Sequence, residues 1–285
     1  MSTLAIKIGA DPETFVKRAG QFVSGFGLIQ GTKEAPYRVD KGAVQVDGHA
    51  LEFNIDPASN PDEFVANLTA VLDQLRGMVP DHEVVAEPVA QFTRKYLQSM
   101  PEEANELGCD PDYNAYTKEA NPRPNGDVDF RTGGGHVHIG WAEGMDITDE
   151  GHVEAGQMLT RELDFYLGLA SLFWDDNDQR REMYGKAGAY RVKPYGVEYR
   201  SLSNAWLKTP ELMRWVFEAT QIASQNLYEG KSIAEKYGDV AQIAIDSNDR
   251  NLAKSIIRVT LEREMGLKGW FNSIPNKVVD VEEWS

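Results

Sequence analysis

Gly133-Gly134-Gly135-His136-Val137-His138-Ile139-Gly140-Trp141 is the stretch that decides how the rest of the chain is read. Val137, Ile139 and Trp141 alternate with His136, His138 and Gly140, the period of a strand buried on one side. On such a strand both imidazoles share a face, roughly 6–7 Å apart along it. The three glycines before it carry no side chains and leave room for a backbone or a phosphate to come close.

A second stretch, Gly196-Val197-Glu198-Tyr199-Arg200-Ser201, has the same alternation and puts Glu198 and Arg200 on one face. Neutral histidine and carboxylate ligate metals, and arginine is the side chain suited to phosphate. Arg180, Arg181, Lys186, Arg191, Lys193 and Arg200 crowd into this part of an otherwise acidic chain. Two readings compete for that cluster. One is an anion site on the glycine-bearing stretch Asp175 to Gly188; the other is a salt-bridge network with Asp175, Asp176 and Asp178.

The 285 residues carry 29 basic against 45 acidic side chains, a formal net charge of −16. That balance argues against nucleic acid or an anionic membrane as partner, and ordinary surface solvation accounts for most of it. An apolar fraction of 41%, with 10% aromatic residues, is enough for a globular core. Cys109 is the single cysteine, so neither a disulfide framework nor a cysteine zinc site is available. It reads as a structural thiol in a reducing cytoplasm. Met1-Ser2-Thr3-Leu4 lacks the charged start and apolar run of a signal peptide. No stretch approaches the ~20 apolar residues of a membrane span.

Outward from the two strands, Leu4 to Gly9 is β-prone and Gln21 to Gly31 reads as a hairpin. Ala43 to Asp47 and Ala50 to Asp56 read as strands joined at Asp47-Gly48. Asn60 caps a helix with Pro61 at its first position and Glu63 in a capping box. Phe64, Leu68, Val71, Leu72 and Leu75 form its apolar stripe. Glu83 to Phe92 returns as a strand, and Tyr96 to Arg131 reads as a long functional loop. Its markers are Pro101, Pro111, Pro122, Pro124 and the Asn125-Gly126 turn. Thr148 or Asp149 starts a helix reaching about Phe173, Thr209-Pro210-Glu211 starts another, and a third runs from about Asn248 to Met265. The predicted class is α+β, a mostly antiparallel sheet with a metal- and nucleotide-lined face and helices on the other. One domain, 1–285, is expected, helical from about 207.

Asp11-Pro12-Glu13 has two local readings. Extended, it puts Asp11 and Glu13 on one face as a carboxylate clamp for a divalent cation; helical, it is an N-cap with proline at the first position. Asp47 and Glu52 are the next acidic pair, Glu52 inside an apolar strand where a buried charge needs a partner. His49, His82 and His152 read as ordinary turn, loop and helix residues.

Four motifs in order, Gly-Ala-Asp-Pro-Glu-Thr-Phe, Leu-Glu-Phe-Asn, Gly-Gly-His-Val-His-Ile and Val-Glu-Tyr-Arg-Ser, resemble the glutamine synthetase-like superfamily of carboxylate–amine ligases. The likeness covers roughly residues 5 to 206 and points to the phage-encoded amidoligase branch. It implies an extended Asp11-Pro12-Glu13 and a site holding ATP with Mg2+ or Mn2+. It implies Asp11, Glu13, Asp47, Glu52, His136 and Glu198 as metal ligands. His138, Arg200, Arg181 and Lys186 would serve the nucleotide, and Arg191, Arg200 and Glu198 the chemistry. Asp11 stands where glutamine synthetase itself usually has a glutamate. The implied reaction phosphorylates a small-molecule or peptide carboxylate and lets an amine attack the acyl phosphate. Two rivals remain: a two-metal hydrolase, and a nucleotide- or metal-binding protein without ligase activity.

Overall fold

The computed structural model describes residues 4–105, 112–122 and 128–278. Cys109, Pro111, Pro124 and the Asn125-Gly126 turn lie outside the described residues. The strands in chain order are β1 (Lys7–Arg18), β2 (Gln21–Val23), β3 (Tyr37–Val39), β4 (Gly42–Asp47), β5 (Ala50–Ile55) and β6 (Glu83–Val85). They continue with β7 (Val89–Gln91), β8 (Tyr113–Asn114), β9 (Phe130–Thr132), β10 (Gly135–Gly140), β11 (Ala189–Lys193) and β12 (Gly196–Tyr199).

The main sheet runs β3-β4-β5-β1-β10-β12-β11-β8, and every neighbouring pair is antiparallel. β2 and β6 extend the far end of β1, and β7 pairs with β9 apart from the main sheet. Alternation divides the residues as the sequence predicts. Ile8, Ala10, Leu51, Phe53, Val137, Ile139, Val197 and Tyr199 are buried on the face covered by the helices Pro61–Met78 and Glu150–Leu163, against which Pro210–Tyr228 packs. Burying a large aliphatic or aromatic side chain contributes about 1.5–3 kcal/mol, so this apolar face holds the helices down and leaves the other face free to be polar.

The helix starts follow local chemistry. The Asn60 side chain accepts the Glu63 N–H at 2.9 Å and Glu63 reaches back to the Ser59 N–H at 2.8 Å, and Phe64, Leu68, Val71, Leu72 and Leu75 are all buried. Asp149 and Thr209 cap the next two long helices through the N–H groups of His152 and Leu212. The helix begun at Glu150 continues to Trp174 through a π turn at Asp164–Gly168.

Of the two readings of Asp11-Pro12-Glu13, the extended one holds: the stretch lies inside β1, because strands on both sides supply hydrogen bonds that a local helix cap does not. Other expectations are corrected. Only Gln21–Val23 of the expected hairpin after Gln21 is strand. Glu83 to Phe92 is two short strands in different sheets, broken by Pro88, which has no N–H to give a ladder. The stretch 96–131 holds helical turns at Arg94–Ser99 and Glu102–Asn105 besides β8 and β9. The expected helix from Asn248 begins at Arg250, capped by Asp249, and ends in a second π turn at Arg258–Glu264.

Candidate active site

β1 carries the site because its polar positions meet polar positions on both neighbours. Asp11 stands directly opposite His136 on β10, and Glu13 opposite Glu52 on β5. Outward from β10, His138 faces Glu198 on β12, which faces Arg191 on β11. Outward on the other side, Glu52 faces Gln45 on β4, with Asp47 two positions further along that strand. Directly paired residues share a face, so one polar row crosses six strands.

The half around β10 and β12 is dense with ion pairs. His138 Nε2 lies 2.9 Å and His136 Nδ1 3.3 Å from Asp11 Oδ1, and His136 Nδ1 is 3.5 Å from Glu198 Oε1. Glu198 is fully buried. Arg200 Nη1 pairs with its Oε1, while Lys193 Nζ at 2.8 Å and Arg191 Nη1 at 3.5 Å share its Oε2. Arg200 also reaches Asp112 at 3.4 Å and the hydroxyl of Tyr184, and its Nη1 is 3.4 Å from His136 Nδ1. Tyr195 closes over His138 through its hydroxyl. Burial alone would raise Glu198 and Asp11, and Asp11 adds to the rise at Glu198. Arg200 and the two imidazoles nevertheless hold Glu198 at about 2, and His138 and His136 keep Asp11 well below the usual carboxylate range. Burial and the Arg200 charge push His136 down, whereas Asp11 and then Glu198 outweigh burial at His138 and raise it.

The half around β5 is acidic. Glu13 accepts the Gly134 N–H at 2.7 Å, and Glu52 accepts from Gln45 Nε2 at 2.9 Å. Lys33 meets Asp47 at 2.8 Å at the margin. Burial, followed by the charge of Asp47, pushes Glu13 up to about 7; burial with Asp11, Asp47 and Glu13 pushes Glu52 well above its ordinary value.

The donor set fits a hard divalent cation. Asp11, His136 and Glu198 each offer a ligand atom within 4.8 Å of the others, and oxygen with imidazole suits magnesium or manganese. Asp11 Oδ1, His136 Nε2 and His138 Nε2 are buried polar atoms without a hydrogen-bond partner. His138 Nε2 approaches Asp11 closely but off the direction of a hydrogen bond. Arg200 Nη1, between Glu198 and His136, stands where a cation would also be attracted.

The glycines before His136 are filled by protein. A Cβ at Gly134 would meet His136 Nε2 at 2.5 Å, one at Gly135 the Ser203 carbonyl at 2.3 Å, and one at Gly133 the Asn204 amide at 2.5 Å. They admit the 203–206 segment and the imidazole ring. The basic cluster divides likewise. Arg191, Lys193 and Arg200 line the site. Arg180 is buried and donates to the carbonyls of Gly133 at 3.0 Å, Ser201 at 3.1 Å and Leu202 at 2.8 Å, tying the glycine lead-in to the end of β12. Arg181 is not brought to the site: it is buried against Asn248 and Ser171 in the helical layer. Lys186 is exposed, and its charge acts on Asp246. The expected anion loop 175–188 instead contains a helix, Asp178–Met183, whose two arginines point inward. Asp112, Tyr184, Tyr195 and Gln45 were missed; no local pattern distinguishes them from loop and strand residues elsewhere.

An antiparallel sheet with one apolar face under helices and one row of acids, imidazoles and guanidiniums defines a candidate active-site surface whose donors suit a metal. The chain matches the family described as Phage phiEco32-like COOH.NH2 ligase-type 2 over residues 114–268, more than half its length, and it belongs to that family. It is therefore an enzyme of the carboxylate–amine ligase kind. The matched segment includes His136, His138, Arg191, Glu198 and Arg200 and begins after Asp11, Glu13, Asp47 and Glu52. No curated protein matches the chain. Among the described residues no helix is long and apolar enough to cross a membrane.

Proposed function

We propose that the chain is an ATP-dependent ligase that activates a carboxylate as an acyl phosphate and joins it to an amine. We further propose that it is a glutamine synthetase-like enzyme acting as one domain over 1–285. The observation that carries this reading is the row Glu52, Glu13, Asp11, His136, His138, Glu198 on one sheet face, with Arg200, Arg191 and Lys193 at its end. Asp11, His136 and Glu198, with Glu13, Glu52 and Asp47 beyond them, would hold Mg2+ or Mn2+. The bound metal would supply charge neutralisation for the phosphates.

The residues of the chain divide the remaining work. Arg200 and Arg191 offer guanidiniums to phosphate oxygens, where charge-assisted contacts count most as charge shifts during transfer. A phosphate that recruits Arg200 leaves the negative charge of Glu198 and Asp11, and the lone pair of His136, to share with a cation, so nucleotide and metal favour each other. Lys193 retains Glu198 while Arg200 turns to the nucleotide. The basic side chains also support this reading over a two-metal hydrolase, which has no need of three cations around one carboxylate.

Turnover of ATP with magnesium, assayed against amino acids and small acids with products read by mass spectrometry, tests the reaction. An amide product together with ADP is expected; nucleotide-independent hydrolysis of the same compounds would overturn it. Calorimetry should find tight ATP binding only when magnesium or manganese is present. Arg200→Ala should weaken ATP binding roughly ten- to a hundredfold, the loss of about 1.5–3 kcal/mol for a charge-assisted contact. Arg191→Ala should spare binding and slow turnover.

A further inference from the structure

Asp164 is fully buried and lies on the helical side of the sheet, away from the polar row. Each of its carboxylate oxygens takes a hydrogen bond from a different tyrosine. Tyr199 Oη donates to Oδ1 at 2.7 Å and Tyr116 Oη donates to Oδ2 at 2.9 Å. Tyr199 sits between Glu198 and Arg200 on the apolar face of the strand, so its side chain is the inward anchor of the two outward-facing groups. Tyr116 belongs to the segment 112–122, whose Asp112 lies 3.4 Å from Arg200 Nε. Ser201, the next residue after Arg200, has its hydroxyl 3.5 Å from Asp164 Oδ1 and donates to the Lys186 carbonyl at 2.9 Å.

The backbone is shaped around this carboxylate. The helix breaks into a π turn at Asp164–Gly168, an irregularity that adds a residue and re-aims a side chain, often where function requires it. A Cβ on Gly168 would meet Tyr199 Oη at 2.9 Å and Asp164 Oδ1 at 3.1 Å, so glycine leaves room for the bond. A leucine at 164 would fill the volume but remove the acceptor shared by two phenol hydroxyls. An apolar core has no use for that arrangement.

We propose that Asp164 is a positioning residue that sets the Glu198-Tyr199-Arg200 strand and the Asp112-bearing segment relative to each other, and so fixes where the Arg200 guanidinium stands. The proposal rests on the ligase reading of that face for its catalytic consequence, but the mechanical tie is independent of it. Asp164 touches no reacting group. It acts through Tyr199 on one side of Arg200 and through Tyr116 on the other.

Hydrogen–deuterium exchange and steady-state turnover on the same full-length preparations test both parts. Tyr199→Phe should raise exchange in 196–201 alone, Tyr116→Phe in 112–122 alone, and Asp164→Leu in both, about three- to tenfold for one lost hydrogen bond. In the turnover assay, Asp164→Leu should raise KM for ATP and lower kcat together, about tenfold or more in kcat/KM, because a misplaced Arg200 weakens nucleotide binding and transition-state contacts alike. Asp164→Asn, which keeps one acceptor, should recover part of that loss. Exchange changes confined to 150–174, or parental kcat in a folded Asp164→Leu, would overturn the proposal. If Asp164→Leu does not fold, the two tyrosine variants decide by whether each loosens its own segment and lowers kcat. A parent protein with no nucleotide-dependent turnover would refute the ligase reading instead, and the exchange pattern alone would then decide the tie.

Discussion

The two halves of the polar face are built from the same residue types and balanced in opposite ways. Around β12, Glu198 is surrounded by Arg200, Lys193, Arg191 and two imidazoles, and it stays ionised down to about pH 2. Around β5, Glu13 and Glu52 face each other with Asp47 nearby, Lys33 is the one salt-bridge partner among the described residues, at the margin, and both acids rise above their ordinary range. A buried charge is tolerated when paired and costly when it is not. The half around β12 is therefore complete in its own cations, while the half around β5 has a deficit that an external cation would remove.

The hardest blow to this contrast is Glu198→Gln. It strips three cations of their shared carboxylate, and breaking a buried pair from one side costs about 3–5 kcal/mol. Denaturant unfolding should register that loss, and turnover should fall to background. A change below about 1 kcal/mol would mean that the three cations are not held by Glu198.

Metal comes next. Because Glu13 titrates near 7 and Glu52 above its usual value, part of the acidic half is protonated at neutral pH, and a cation must displace those protons. Titrating Mn2+ by calorimetry in two buffers of different ionisation enthalpy should reveal proton release. Affinity should weaken about tenfold for each displaced proton per pH unit as pH falls below 7. Proton-free, pH-independent binding would place the ion in the half that is already balanced.

Glu52→Gln should act with the opposite sign to Glu198→Gln. A carboxylic acid whose folded pKa is raised lends stability below its unfolded value and loses it as pH rises through the folded one. At pH 8 without metal, the Gln variant should be more stable than the parent, and at pH 4 the two should coincide. Metal affinity should fall in the same variant. Equal melting curves at pH 8 would remove the claimed deficit.

The smallest effect separates the polar face from the buried Asp164. Burial raises Asp164 to about 7 despite its two tyrosine hydrogen bonds. Parent stability should decline as pH rises from about 4 to 7, and Asp164→Asn should flatten that slope by at most about 1.4 kcal/mol per pH unit. An unchanged slope would mean that the decline belongs to Glu13 and Glu52 alone.

Much of this architecture was legible in the chain. Val137, Ile139 and Trp141 against His136 and His138, and Val197 and Tyr199 against Glu198 and Arg200, carry the period of two, and β10 and β12 follow it. Asn60-Pro61 with Glu63 carries a helix start in its own hydrogen-bonding groups. Local pattern failed at Asp11-Pro12-Glu13, where a cap and a strand offer the same residues similar partners. The family likeness favoured the strand, and hydrogen bonds from β10 and β5 make it. It failed also for the basic cluster, since Arg180 and Arg181 are indistinguishable in sequence from Arg191 and Arg200. Only packing turns the first two toward backbone carbonyls and the helical layer.

The sequence by itself determined the alternation of each strand, and hence which residues share a face, because side-chain direction along a strand depends only on the backbone. Register between strands far apart in the chain was decided by the tertiary structure. That register set Asp11 opposite His136 and Glu13 opposite Glu52, brought Asp112 to Arg200, and left one half of the face balanced and the other acidic. Electrostatic balance depends on distances between groups a hundred residues apart, and only the packed fold supplies those distances.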